Sequence, residues 1–133
     1  MQRTRVHGRR GWIAVALVAV VVLGLTTHFV GSGPVADFAG DLLYAAMLYL
    51  LVAFFVPHLS TVVLGTVAVI SCALIEVFQL TGLPALLASS FWPTGLILGT
   101  AFSPLDFVAY LAGAAGAAAA DLAARRSAVA SAS

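Results

Sequence analysis

Between Gly11 and Ala124 this chain contains neither lysine nor arginine, and this stretch is divided into long apolar segments. A helix that crosses ~30 Å of hydrocarbon needs about 20 mostly apolar residues. The 133 residues are 62% hydrophobic and 8% charged, whereas soluble domains carry about 25% charged residues. The sequence therefore predicts an all-α membrane protein, a bundle of four transmembrane helices. The predicted spans are about Trp12–Val30, Phe38–Val56, Ser60–Leu80 and Pro104–Ala124.

The basic residues predict the topology, because all six are arginines and they lie at the two ends of the chain. Positive charge beside membrane spans marks the cytoplasmic side. Both ends are therefore predicted to be cytoplasmic, which requires an even number of spans and agrees with four. The start of the chain also resembles a signal peptide but lacks a clear cleavage motif, so we interpret it as an uncleaved span. We expect a basic cytoplasmic N-terminus over residues 1–11, a transmembrane domain over 12–124 and a disordered cytoplasmic tail over 125–133.

The connection from Gly82 to Ser103 is predicted to lie on the outer side, yet it is not polar. It contains LPALLASSFWP and GLILGTAF, and each half is too short to span the membrane and return. We expect it to insert partly into the membrane or to pack over the outer mouth of the bundle. Phe91 and Trp92 suit the membrane interface, where aromatic rings are enriched. The alternative is a long, tilted fourth helix that starts near Thr94.

Glu76 is the only charged residue in the third apolar segment. An ionised carboxylate in hydrocarbon costs between ~2.5 and 10 kcal/mol or more. Glu76 lies near the carboxyl end of its helix, where the helix dipole disfavours an anion, so capping does not explain it. We expect it to be hidden from lipid and at least partly protonated at neutral pH. It would serve either proton transfer or, as the structural alternative, a hydrogen bond across the bundle to Tyr44 or Tyr110.

Other polar residues are predicted to lie at the same depth as Glu76. In the expected topology the acids of the spans, apart from Asp121, all fall in the outer half. Residues three, four and seven positions apart share a helix face, so three of the helices each carry one polar stripe. Facing inward, the stripes would form a candidate binding site of Glu76, Asp106, Asp41, Gln79, Tyr44 and Tyr110.

Most of these acids also have simpler structural interpretations. Asp37 is a natural N-cap, and Asp41 lies in the first turns of its helix, where the dipole favours an anion. Asp106 completes an S-x-x-D capping box with proline at the first helical position. Asp121 precedes Arg125 by four residues and is interpreted as an ordinary helix-end ion pair. Glu76 has no such interpretation.

Short motifs occur in an order that is similar to a known family. Together they resemble the bacterial family called domain of unknown function 2809, over nearly all of the chain from Trp12 to Ala124. The patterns D…Y, E-x-x-Q and D-x-x-x-Y-x-x-G are more distantly similar to VanZ-like proteins, one of which gives teicoplanin resistance. The motifs are G-D-L-L-Y at Gly40–Tyr44, I-E-V-F-Q-L at Ile75–Leu80, G-L-I-L-G at Gly95–Gly99 and S-P-L-D-F-V-A-Y-L-A-G at Ser103–Gly113.

The resemblance implies a small four-helix protein of the bacterial inner membrane, and it implies no particular activity. Members of the family often carry an arginine in the loop before the glycine-rich stretch. Residues Ala88 to Thr94 contain none. If that arginine serves as counter-ion to the acids, its absence leaves the site net acidic and argues against anion binding.

Three kinds of function stay open. The first is a binding or transport-associated protein whose acidic site takes a proton, a small cation or the polar head of a lipid-linked molecule. The second is a structural or accessory subunit in a homo-oligomer or with a membrane partner. The third is an envelope enzyme acting on a lipid-linked substrate, with Glu76 as acid or base and a metal on Asp106 or Asp41. The third is least favoured, because no HExxH, paired metal-ligand histidines or nucleophile motif is present. We expect no cofactor and no nucleic-acid partner.

Overall fold

The computed structural model describes residues 2–99 and 102–130, with the backbone alone for residues 2–7. This part of the chain folds into helices without any strand. Four of the helices, namely the first, second, third and sixth along the chain, are long and apolar enough to cross a membrane. The predicted four-helix bundle is confirmed, and the chain is a multi-pass membrane protein. The helices are α1 (Gln2–Val30), α2 (Pro34–Phe55), α3 (Thr61–Gln79), α4 (Leu83–Ser90), α5 (Pro93–Leu98) and α6 (Asp106–Ala130).

The first and last helices of the chain extend beyond the predicted spans. Helix α1 begins at Gln2, and α6 continues past Ala124 to Ala130. Part of each segment that was expected to flank the membrane domain is therefore helical, including the first residues of the predicted disordered tail. Residues 131–133 of that tail lie outside the described residues.

The start of α2 corrects one prediction. Its N-cap is Gly33, and Pro34 is the first helical residue, so Asp37 lies inside the first turn and is not the cap. The proline explains the earlier start, since its fixed φ and missing N–H suit the first position of a helix. At α3 the cap follows the sequence rule: the Ser60 hydroxyl accepts a hydrogen bond from the N–H of Val63 at 3.3 Å.

The apolar connection between the third and fourth spans forms two short helices, α4 and α5. Because α5 ends at Leu98 and α6 begins at Asp106, the alternative of one long helix from Thr94 is wrong. Helix α4 contacts α3 and α5. The connection therefore packs against the bundle, which is one of the two arrangements expected for it.

Helix α2 lies at the centre of the bundle and contacts α1, α3 and α6. Its approach to α6 depends on Gly113, where an added Cβ would lie 2.0 Å from the carbonyl oxygen of Leu42. Small residues at such crossings let two helix backbones come close. The apolar core between the helices contains Ile13, Tyr49, Leu50, Ala53, Leu64, Ala68 and Ala114.

Candidate functional site

Two polar clusters lie at opposite ends of the bundle, with the apolar core between them. The first, the carboxylate site, joins α2, α3 and α6 near the end covered by α4 and α5. The second, the arginine lock, joins α1, α2 and α6 at the other end. The carboxylate site consists of the six predicted residues, Asp41, Tyr44, Glu76, Gln79, Asp106 and Tyr110. The arginine lock consists of Arg9, Tyr49, Asp121 and Arg125.

Glu76 is the most deeply buried member of the carboxylate site, with no solvent-exposed surface. Its Oε1 accepts a hydrogen bond from the hydroxyl of Tyr110 on α6. Its Oε2 is also buried and has no hydrogen-bond partner. The backbone N–H of Ser103 faces the same carboxyl group but leaves Oε2 unsatisfied. A buried ionised carboxylate needs several donors or a counter-ion, so this environment suits a protonated glutamic acid.

Asp41 and Asp106 bring a second pair of acids together across α2 and α6. Their carboxyl groups face each other, and Glu76 lies near them. An ionised carboxylate has no donor, so a hydrogen bond between two carboxyl groups would require a proton on one of them.

Tyr44 and Gln79 belong to the same stripes but bind a different element. The Tyr44 hydroxyl donates to the carbonyl oxygen of Ile97 at 2.6 Å, and Gln79 Nε2 donates to that of Leu98 at 2.7 Å. Gln79 Oε1 is buried without a partner. The six predicted residues thus lie at one end of the bundle, but these two attach α5 to it. The sequence did not predict this contact.

The carboxylate site has neither a metal-binding group nor a positively charged partner among the described residues. In residues 2–99 and 102–130, no group of three or more histidine, cysteine, aspartate or glutamate side chains is placed to hold a metal ion. The spans also bring no lysine or arginine to this end of the bundle. Without a counter-ion, a buried carboxyl group has a lower free energy when it carries a proton than when it is ionised.

The arginine lock is centred on Asp121, whose side chain is fully buried. Arg9 binds it with two hydrogen bonds, Nε to Oδ1 at 3.0 Å and Nη2 to Oδ2 at 2.7 Å. The Tyr49 hydroxyl donates to Oδ2 at 2.9 Å, and Arg125 donates to Oδ2 through Nε at 3.2 Å and Nη2 at 3.0 Å. The predicted pair with Arg125 exists, but the interpretation of an ordinary helix-end pair is wrong, because Arg9 and Tyr49 bury and share this carboxylate.

The two arginines of the lock also hold the turn between α2 and α3. Arg9 Nη1 donates to the carbonyl oxygen of Pro57, and Arg125 Nη2 donates to that of Leu59 at 3.0 Å. One buried carboxylate thereby organises two guanidinium groups that connect α1, α6 and the α2–α3 turn.

Comparison with known proteins gives a family and no activity. Residues 30–114 match the model of the family described as protein of unknown function (DUF2809). Neither a curated protein nor a solved structure matches the chain, and the family match gives no support to the more distant similarity to VanZ-like proteins. The match contains the whole carboxylate site, whereas three of the four residues of the arginine lock lie outside it. Because the match covers more than half of the chain, this membrane protein belongs to the DUF2809 family.

Proposed function

We propose that this protein binds and exchanges protons at the carboxylate site inside its membrane domain. The observation that supports this most strongly is Glu76, which is fully buried, receives one side-chain hydrogen bond and has a second oxygen with no partner. A carboxyl group in such a place is neutral in the resting fold and becomes charged only when it gives up its proton.

The neighbouring acids support exchange over a purely structural role. Asp41 and Asp106 face each other across α2 and α6, and both lie near Glu76. Like charges that are a few Å apart in a poorly screened environment repel each other strongly. The loss of a proton from one acid therefore raises the cost of losing a second proton from another. Three acids that are coupled in this way form a group that holds and passes on protons.

The other ligands considered from the sequence have less support. A divalent cation needs several ligands, and the described residues contain no suitable group. An anion, including the phosphate of a lipid-linked molecule, would need basic groups that the spans lack. A metal-dependent envelope enzyme needs the same absent set of ligands. The proton is the ligand that requires nothing beyond the residues present.

We also propose that the carboxylate site faces the outer side of the bacterial inner membrane, with the arginine lock on the cytoplasmic side. The arginines at the ends of the first and last spans favour this orientation. A cysteine that replaces His58, which is exposed in the turn beside the lock, should react in intact cells with membrane-permeant thiol reagents only. Reaction with an impermeant reagent would contradict the orientation.

The dependence of stability on pH tests the proposed proton binding. At pH 7 a folded Glu76 that keeps its proton must release it on unfolding, because an exposed glutamate titrates near 4.3. Each proton released makes the free energy of unfolding fall by about 1.4 kcal/mol for every unit by which the pH rises. We expect the free energy of unfolding of wild type, from denaturant titrations in detergent micelles, to fall with this slope as the pH rises above about 5. Glu76→Gln should reduce the slope by the contribution of one proton, about 1.4 kcal/mol per pH unit.

Asp37→Asn is the matched control, because it removes an exposed carboxyl near the start of α2. This variant should retain the wild-type slope. A Glu76→Gln slope equal to that of wild type would show that Glu76 carries no proton in the fold, and the proposed function would then be wrong.

A further inference from the structure

Helices α4 and α5 form a cover over the carboxylate site, bounded by two glycines with left-handed backbones. Gly82 precedes α4 with φ of 74°, and Gly99 follows α5 with φ of 64°. Only glycine adopts such angles freely. The chain therefore turns sharply where the cover leaves α3 and again where it ends. Between these two points the cover is a separate short unit rather than a continuation of the bundle helices.

Two side-chain hydrogen bonds fasten this cover to the bundle. They come from Tyr44 on α2 and Gln79 on α3, and they end on the neighbouring carbonyl groups of Ile97 and Leu98. These carbonyls belong to the last turn of α5, where helical carbonyl groups lack partners within the helix. The two bonds therefore satisfy groups that the short helix cannot satisfy itself.

The fastening residues lie one helical turn from the acids. Tyr44 follows Asp41 by three positions and Gln79 follows Glu76 by three positions, so each pair shares a helix face. Beneath the cover, Glu76 Oε2 and Gln79 Oε1 are both buried without a hydrogen-bond partner. Polar atoms of this kind are normally satisfied by water or by a protein group. They therefore mark the place that water would enter if the cover moved.

We propose that α4 and α5 are a lid that controls the access of water and protons to Glu76, with Tyr44 and Gln79 holding it shut. In the closed state the bundle hides Glu76 from water. When the two hydrogen bonds break, the segment between Gly82 and Gly99 swings away and water reaches the acids. This inference rests on the proposed proton binding, since it names the route by which that site is reached.

The reactivity of Cys72 tests the lid. Cys72 lies one turn below Glu76, and its side chain is 1% exposed. We expect an impermeant thiol reagent to label it slowly in wild-type protein in detergent micelles. Tyr44→Phe, which removes a single hydroxyl group, should raise the labelling rate about tenfold, because a lost hydrogen bond of about 1.4 kcal/mol shifts an opening equilibrium by that factor.

Gly99→Ala and Gly82→Ala give a matched pair. Both place alanine at a positive φ, but a Cβ at Gly99 would lie 2.4 Å from Gln79 Nε2, whereas a Cβ at Gly82 meets nothing within 4 Å. Gly99→Ala should therefore raise the labelling rate of Cys72 well above that of Gly82→Ala. The lid is refuted if wild-type Cys72 already reacts as fast as in unfolded protein. It is equally refuted if Tyr44→Phe leaves the labelling rate of Cys72 at the wild-type value and Gly99→Ala leaves it at the value of Gly82→Ala.

The two proposals fail in different ways. In one case the slope of the free energy of unfolding against pH depends on Glu76, while Tyr44→Phe and Gly99→Ala leave the labelling of Cys72 unchanged. That result would support proton binding and refute the lid. A slope that does not depend on Glu76 would remove proton binding itself, whatever the labelling of Cys72 shows.

Discussion

Asp121→Ala is expected to lower the free energy of unfolding by about 3–5 kcal/mol, the cost of leaving buried charges without their partner. Asp121 is fully buried, while the side chains of Arg9 and Arg125 are 14% and 29% exposed. Without the carboxylate, two guanidinium groups and the Tyr49 hydroxyl would face one another in a largely dry site. Thermal and denaturant unfolding in detergent micelles measures this loss.

Companion variants show whether the loss comes from unpaired charge. Arg125→Ala should cost less than Arg9→Ala, because Arg125 is more exposed and makes longer hydrogen bonds to Asp121. The double variant Arg9→Met/Asp121→Leu should be more stable than Asp121→Ala, since apolar groups often replace buried ion pairs without loss of stability. A cost below about 1 kcal/mol for Asp121→Ala, as for exposed ion pairs, would contradict the buried lock.

Glu76→Ala is expected to destabilise the fold by about 2–5 kcal/mol, as large-to-small substitutions do at buried positions. The substitution would leave a void between α3 and α6, where the side chain of Glu76 is fully buried. It would also remove the acceptor for the Tyr110 hydroxyl, and an unsatisfied buried group adds to the loss. Unfolding curves near pH 4 give the value, because there the release of a proton from Glu76 on unfolding costs wild type little.

Glu76→Gln is the informative partner of that variant, because it keeps the volume and removes only the ability to ionise. If Glu76 is neutral in the fold, the glutamine variant should lie within about 1.5 kcal/mol of wild type near pH 4, where the unfolded chain also keeps much of its proton. Above that pH the variant should gain on wild type by about 1.4 kcal/mol for every pH unit, because only wild type must release a proton on unfolding. A difference in stability that does not change between about pH 5 and 7 would contradict a protonated Glu76.

The sequence could predict that the six polar residues of the carboxylate site lie together, whereas their role as a binding site stays a prediction. Hydrophobic length fixed the spans and helical period fixed the faces, so Asp41, Glu76 and Asp106 were expected at one level on facing helices. The sequence does not decide whether Tyr44 or Tyr110 binds Glu76, because that depends on how each helix is rotated about its axis. The structure selects Tyr110 and gives Tyr44 to α5.

The arginine lock was missed because a local rule explained one of its contacts. The spacing of Asp121 and Arg125 fits an i,i+4 pair, which is usually a weak surface interaction. The stronger contact, from Arg9 to Asp121, spans 112 residues. The predicted topology already placed the first and last spans with their arginine ends together. A comparison of charges at equal depth would have revealed the missing partner.

The short helices and the start of α2 show where local signals compete. Pro34 fits the first position of a helix and Asp37 fits a cap, and the two cannot both begin the same helix. The proline sets the start, and Gly33 with φ of 80° makes the turn before it. In the connection, Pro84 and Pro93 each lie in the first turn of a short helix. At the last span the expected proline start is wrong, since α6 begins two residues after Pro104.

The most direct test of the central claim, a protonated carboxylic acid at Glu76, is the infrared spectrum of the protein at pH 7. The difference between wild type and Glu76→Gln isolates one carboxyl group from the Asp41–Asp106 pair. We predict that the difference contains the C=O stretching band of a protonated, buried carboxylic acid and that this band shifts in D₂O. A difference that shows only the bands of an ionised carboxylate would contradict the claim.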